Sequence, residues 1–151
     1  TSGSCSATSQ IVPVIPFNAN TLINGMNSVS VGGSTPLTYG LQQAVYKDFG
    51  GLDQNFAKKI VLITDGGENC GGDPCAFAKQ LMSARRDITI DVVLVSSASS
   101  SLRCLADFTG GKVYSANDVS GFAKALTNSM QNAVMQNSEP IQNYEFIGEC
   151  L

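Results

Sequence analysis

The stretch Lys59-Ile-Val-Leu-Ile-Thr64-Asp65-Gly66-Gly67 decides the fold of this 151-residue chain. Its apolar residues follow one another without a break, and the Asp-Gly-Gly that follows them marks a turn. A short, continuous apolar run of this kind is typical of a strand that is buried on both faces of a parallel sheet. We therefore predict a strand over Lys59–Thr64, with Asp65 at its carboxyl end.

Helices and further strands alternate along the rest of the chain. We predict strands over Ile88–Val95 and Lys112–Ser115 and an edge strand over Ile11–Phe17 that contains Pro13 and Pro16. We predict helices over Asn20–Val29, Leu37–Phe49, Cys75–Arg86 and Asn117–Met135, and a short helix after Ser101 that carries Leu102, Leu105 and Ala106. This order predicts an α/β fold, doubly wound, with a mostly parallel sheet and helices on both faces. We assign residues 1–136 to this domain and 137–151, which show no clear period, to a tail or linker.

Composition excludes several classes of function. The chain contains no histidine, so it cannot build a Ser-His-Asp or Cys-His nucleophile by itself, and we do not expect an enzyme. Its net charge is −3 and its basic residues do not cluster, which argues against binding to nucleic acid. No apolar run approaches the ~18 residues that a membrane span requires.

The five cysteines indicate disulfides and an oxidising compartment, so we expect an extracellular, cell-surface or periplasmic protein. The sequence leaves the pairing open: Cys70 and Cys75 could bridge locally across Gly-Gly-Asp-Pro, or Cys75 could pair with Cys104 and Cys5 with Cys70. A zinc site at Cys70 and Cys75 is a weaker alternative, because no second close pair of cysteines accompanies it. Cys150 lies outside the predicted domain and is the candidate for an external partner.

Oxygen-bearing side chains mark the candidate site. In parallel α/β sheets, ligands bind at the carboxyl ends of the strands, which points to the loops Asp65–Asp73 and Ser96–Ser101. Taken alone, Asp65 suits a turn and Thr35, before Pro36, suits a helix N-cap. Taken together, a hydroxyl and a carboxylate at these places suit a hard divalent cation such as Mg²⁺.

Three motifs in order give the chain a resemblance to the von Willebrand factor A domains. They are Gly33-Ser-Thr-Pro-Leu37, the strand that ends in Thr64-Asp65-Gly66, and Leu105-Ala-Asp-Phe-Thr-Gly-Gly111, and the resemblance extends from Ile11 to about Ala133. Within that family the chain is most similar to secreted bacterial-type members with Glu68-Asn-Cys-Gly-Gly-Asp-Pro-Cys75.

The resemblance implies a metal-ion-dependent adhesion site, in which a divalent cation captures a carboxylate of a protein partner. It implies that Thr35 is the threonine ligand of the cation and that Asp65 contacts the cation through water. Ser34 and Glu68 are candidates for supporting roles. The expected cofactor is Mg²⁺, with Ca²⁺ or Mn²⁺ as alternatives.

The chain departs from the family pattern in one respect. The family's first central strand carries Asp-x-Ser-x-Ser, and this motif occurs nowhere in the 151 residues. We therefore expect the sheet to lack its first central strand. Either a complementary fragment or neighbouring subunit supplies that strand, or these residues are only part of the domain. A sheet with such a gap would expose unpaired backbone groups.

The leading hypothesis for function is therefore metal-dependent binding of a protein ligand. The main alternative is a structural or assembly component with the same fold and a degenerate metal site. An intracellular subunit that couples a metal site to an ATPase is a third hypothesis, which the cysteines disfavour.

Overall fold

The computed structural model describes residues 4–14, 19–30, 32–95 and 100–136. The described residues form two compact units. The first comprises those up to Leu52 together with Glu68–Gly72, and the second comprises Asp53–Gly67 and the residues from Asp73 onward.

The first unit is helical. Helix α1 spans Ala19–Asn27, and helix α2 spans Leu37–Gln43 and continues as a π-helical stretch over Ala44–Asp48. Apolar side chains at helical spacing in this segment, Leu37, Leu41 and Val45, are buried. The predicted helix over Leu37–Phe49 is thus confirmed, with its last turns wound more loosely than an α-helix.

The predicted edge strand is wrong in its described part. Ile11–Val14 forms bends rather than a strand, and the remainder of Ile11–Phe17 lies outside the described residues. Pro13 has no N–H to donate to a ladder, which explains why the apolar residues around it do not extend into a strand. Val12 is instead fully buried, and a methyl group added at Gly25 of α1 would lie 2.8 Å from its side chain.

The second unit is built on a parallel sheet. Its strands are β1 (Lys58–Thr64), β2 (Ile88–Val95) and β3 (Val113–Ala116), hydrogen-bonded in the order β1-β2-β3. Lys58 pairs with Ile88 and Thr64 with Leu94, so β1 pairs with β2 along its whole length. The crossovers are α3 (Pro74–Ala84) between the first two strands and α4 (Arg103–Thr109) between the last two.

Helices cover both faces of this sheet. Helix α5 (Val119–Gln136) packs on the face that carries Val93 and Ala116, where its Ala125 is buried. The opposite face carries Ile88, Ile90, Val92 and Leu94, all buried, and α4 lies against β2. The α/β fold with a parallel sheet is therefore confirmed. The predicted burial on both faces holds for β2, whereas β1 is mostly half-buried and its Ile63 is 43% exposed.

Local signals begin and end the helices of this unit. Asp73 is the N-cap of α3, where its Oδ1 accepts a hydrogen bond from the N–H of Ala76 at 2.9 Å, and Pro74 occupies the first turn. Asp118 accepts from the N–H of Gly121 at the start of α5. Gly110 ends α4 with a left-handed φ of 73°, a conformation that glycine adopts without steric cost.

Two groups of charged side chains tie the sheet together. Asp91 on β2 is fully buried and accepts from Lys59 Nζ at 2.8 Å and from Ser129 Oγ of α5 at 2.5 Å. Asp87, just before β2, accepts two hydrogen bonds from Arg85 and one from Lys58. The Arg85 guanidinium holds the pKa of the Asp87 carboxyl far below its usual range, against the effect of burial, and the Lys58 ammonium adds to the lowering.

None of the helices in the described ranges combines the length and apolar character that would let it span a membrane. The predicted tail, 137–151, and most of the loop Ser96–Ser101 lie outside the described residues.

Candidate functional site

Asp65 follows β1 directly and is exposed. The turn after the strand is made by its neighbour: Thr64 Oγ1 donates to the carbonyl of Gly66 at 2.8 Å and accepts from the N–H of Gly66 at 3.2 Å. Within the described residues no hydrogen bond engages the Asp65 carboxylate. The carboxylate is therefore presented to solvent at the carboxyl end of a parallel strand, the edge at which such sheets bind ligands.

Thr35 lies in the first unit and is half-buried, as is Ser34. It does not cap helix α2, because Pro36 holds the N-cap position and makes no side-chain cap hydrogen bond. The alternative of a simple Thr35 N-cap is therefore wrong. Instead, the Thr35 N–H donates to Asn69 Oδ1 at 2.6 Å, and the N–H of Asn69 donates to the Thr35 carbonyl at 3.3 Å.

Glu68 supplies the cap that helix α2 lacks locally. Its Oε2 accepts from the N–H of Thr38 in the first turn at 2.7 Å, and its Oε1 accepts from the N–H of Cys70 at 2.7 Å. Burial raises the pKa of the Glu68 carboxyl, but the backbone hydrogen bonds, that from Thr38 foremost, outweigh it and leave the pKa lowered. A negative charge here also suits the positive end of the helix dipole.

A disulfide joins Cys5 to Cys70, with the two Cα atoms 5.4 Å apart. It lines a pocket of about 270 Å³ together with Pro36, Tyr39, Gln42 and Glu68, among other residues. The floor is tightly packed, since a methyl group at Gly72 would lie 2.4 Å from Thr38 Oγ1 and 2.8 Å from Glu68 Oε2. Only a glycine lets the backbone approach so closely.

A second disulfide joins Cys75, in the first turn of α3, to Cys104 in α4. The two observed pairs decide between the alternatives: Cys70 and Cys75 do not bridge each other. They also exclude the zinc alternative, because a disulfide-bonded sulfur is not a thiolate ligand. Cys150 lies outside the described residues.

The chemistry of the predicted ligands suits a divalent cation. A hydroxyl and an exposed carboxylate are the oxygen donors that Mg²⁺ accepts. No group of three or more acidic or cysteine side chains converges within the described ranges. Thr35 and Asp65 belong to different units, and their pairing in one site remains a prediction. Glu68 has both oxygens engaged by backbone amides, so its visible role is that of a cap.

Asn69 is the residue of this region that the sequence motifs missed. It contacts Thr35 through both its side chain and its backbone. Its position beside Cys70 was the one signal in the sequence, and that signal does not reveal what the asparagine contacts.

No family model matches this chain. It is 28% identical over 131 residues to the uncharacterized protein YwmD of Bacillus subtilis (strain 168) and 30% identical over 127 residues to YwmC of the same organism. These alignments cover 85% and 82% of the chain but 58% and 55% of the relatives, so the chain spans little more than half of their length.

A solved structure agrees with the fold. Proximal thread matrix protein 1 from the mussel byssus superposes with a TM-score of 0.62 at 20% identity, over 85% of this chain and 33% of that protein. The fold is von Willebrand factor A-like. At this identity the likeness establishes the fold alone, and it supports the family resemblance that the three sequence motifs indicate.

Proposed function

We propose that this chain is a protein-binding module of the adhesion type, which captures a partner's carboxylate through a divalent cation and performs no turnover. The observation that carries the proposal is the exposed Asp65 carboxylate at the carboxyl end of the parallel strand β1. The von Willebrand factor A-like fold supports it, because that edge of an α/β sheet is where ligands bind.

In this proposal Thr35 and Asp65 hold the cation, which we take to be Mg²⁺. The cation would supply a positive charge with an open coordination position for the partner's carboxylate. The threonine hydroxyl contributes a neutral oxygen, so the site keeps the net positive charge that an anionic ligand requires. Ser34, next to Thr35, is the candidate for a supporting contact.

The test is a calorimetric titration of the full chain with MgCl₂ and, separately, MnCl₂. Asp65→Ala is compared with Asp107→Ala, which removes an exposed carboxylate from helix α4. We expect wild type and Asp107→Ala to bind one cation with equal affinity, and we expect the affinity of Asp65→Ala to be at least tenfold lower. Equal binding by all three proteins, or binding by none, would contradict the proposal.

A structural or assembly role without a metal is the second candidate. The similarity in fold to a matrix protein of the mussel byssus thread favours it. If the titration shows no binding while the protein self-associates in EDTA, as measured by analytical ultracentrifugation, the assembly role replaces the adhesion role.

The position of β1 at the end of the described sheet indicates a second mode of partner binding. In the described part of the chain β1 pairs on one side, with β2, and its centre Ile60–Ile63 carries no charge, proline or bulge of the kind that protects edge strands. Ile63 is 43% exposed. We propose that a strand from a complementary fragment or neighbouring subunit pairs with β1. A monodisperse species with the mass of one chain, by native mass spectrometry of the purified protein, would contradict this.

The two disulfides fit an oxidising compartment, and we propose an extracellular, cell-surface or periplasmic location. Trapping of free thiols with iodoacetamide in intact cells, followed by mass mapping, checks this. Recovery of alkylated Cys5 and Cys70 would contradict it.

A further inference from the structure

The segment Glu68–Gly72 holds the segment Thr35–Thr38 at both of its ends. Asn69 exchanges two hydrogen bonds with Thr35, through its Oδ1 at 2.6 Å and its N–H at 3.3 Å. Glu68 accepts from the N–H of Thr38 at 2.7 Å. All of these residues belong to the first unit, although the hydrogen-bonded residues of the two segments are 30 and 34 positions apart in sequence.

The N-cap residue of helix α2 does not cap it through its side chain. Pro36 lies between the two held residues, has no N–H, and makes no side-chain cap bond to helix α2. Glycines 32 and 33 precede Thr35 with φ angles of 154° and 104°, conformations that restrain the chain little when glycine adopts them. The two hydrogen bonds with Asn69 engage both the N–H and the carbonyl of Thr35.

Asn69 is itself anchored. Its neighbour Cys70 is bonded to Cys5, and the Cys70 N–H donates to Glu68 Oε1. On the far side, Gly72 packs so closely against Thr38 and Glu68 that no methyl group fits. The segment is thus held at several points, and a rigid support is what a positioned ligand requires.

We propose that Asn69 is a positioning residue, which orients Thr35 so that its hydroxyl faces the cation, and that the Cys5–Cys70 disulfide holds Asn69 in place. The cation half of this inference rests on the proposed function. The positioning half does not, because the hydrogen bonds to Thr35 exist without a cation.

The experiment measures the two halves separately in the full chain. Amide hydrogen exchange of Thr35 is followed by NMR in EDTA, and Mg²⁺ affinity is followed by calorimetry. Asn69→Ala removes the acceptor, Asn69→Asp retains one, and Asn24→Ala, an exposed asparagine on helix α1, is the matched control. A fourth sample, Cys5→Ser/Cys70→Ser, tests the anchor.

In Asn69→Ala we expect the Thr35 amide to exchange about fivefold faster, the equivalent of ~1 kcal/mol for one lost hydrogen bond. Asn69→Asp restores the exchange rate, Asn24→Ala leaves it unchanged, and the cysteine variant raises it at least as much as Asn69→Ala. Mg²⁺ affinity should fall in Asn69→Ala by a similar factor.

Unchanged Thr35 exchange in Asn69→Ala overturns the positioning role. Faster exchange with unchanged Mg²⁺ affinity overturns the link to the cation and leaves the proposed function standing. If the wild type binds no cation, the proposed function fails, and the exchange rates alone decide whether Asn69 positions Thr35. A Thr35 exchange rate in the cysteine variant equal to that of wild type overturns the anchoring role of the disulfide.

Discussion

Replacing Asp91 should destabilise the sheet unit more than any other single loss of a charge in the described residues. Asp91 is fully buried and accepts three hydrogen bonds, from Lys59 Nζ at 2.8 Å, from Ser129 Oγ at 2.5 Å and from the N–H of Lys112 at 2.8 Å. In Asp91→Ala, these three donors lose their acceptor at a position where Asp91 and Ser129 are both fully buried.

The magnitude follows from the burial of the two charges. Removing one partner of a buried ion pair costs ~3–5 kcal/mol. The Lys59 side chain is 15% exposed and also donates to the Ser129 carbonyl at 3.2 Å. Its ammonium group therefore retains a hydrogen bond and some contact with water when Asp91 is removed. We therefore expect Asp91→Ala to lower the free energy of unfolding by ~3 kcal/mol, the lower end of that range. With a urea dependence of ~2 kcal/mol per molar, the midpoint falls by ~1.5 M.

The assay is urea unfolding followed by circular dichroism, with both disulfides intact. The double variant Lys59→Met/Asp91→Leu tests the reasoning, because apolar replacement of both charges of a buried pair is often close to neutral. It should lose less stability than Asp91→Ala alone. Two results would refute this reasoning: a decrease below ~0.5 kcal/mol in the free energy of unfolding of Asp91→Ala, or a double variant that is less stable than Asp91→Ala.

Three further predictions concern single features. The pKa of Asp87 in the folded protein lies far below its unfolded value of ~3.9, so the stability that Asp87 contributes is complete above about pH 4 and is lost as the pH falls below that. The difference in urea midpoint between wild type and Asp87→Asn should therefore be full at pH 6 and become smaller below pH 4. A difference that grows in acid would contradict the lowered pKa. Gly72→Ala should lower the free energy of unfolding by ~1–3 kcal/mol, and with it the melting temperature, because the added methyl group has no room. In the control Gly51→Ala the methyl group meets no atom within 4 Å, so the melting temperature should change little. Cys75→Ala/Cys104→Ala opens a loop with a sequence separation of 29 and should cost ~3.5 kcal/mol by chain entropy; an unchanged thermal midpoint would contradict that estimate.

Much of the second unit was predictable because its signals are local. The apolar run of β1 was predicted one residue short, and β2 was predicted over the residues that it occupies, Ile88–Val95. Asp73 and Pro74 predicted the start of helix α3, since a cap and a first-turn proline act within four residues. The edge strand over Ile11–Phe17 failed in its described part because prolines remove ladder hydrogen bonds that the apolar pattern does not register.

The candidate site was predictable only in part. Asp65 could be placed at the carboxyl end of β1, because the end of a strand is a property of the local sequence. Glu68 was a candidate for support of a cation, and the structure shows its two oxygens on backbone amides instead. That assignment requires knowing that Thr38 and Cys70 lie on either side of the carboxylate, which no spacing in the sequence encodes.

The sequence by itself determined the α/β alternation and the parallel strands, because hydrophobic periodicity acts over a few positions. Only the tertiary structure decided which cysteines pair, that Glu68 caps α2, and that Asn69 holds Thr35. Each of these contacts joins segments about thirty residues or more apart, and a contact at that range depends on where the fold brings two backbones together rather than on either stretch alone.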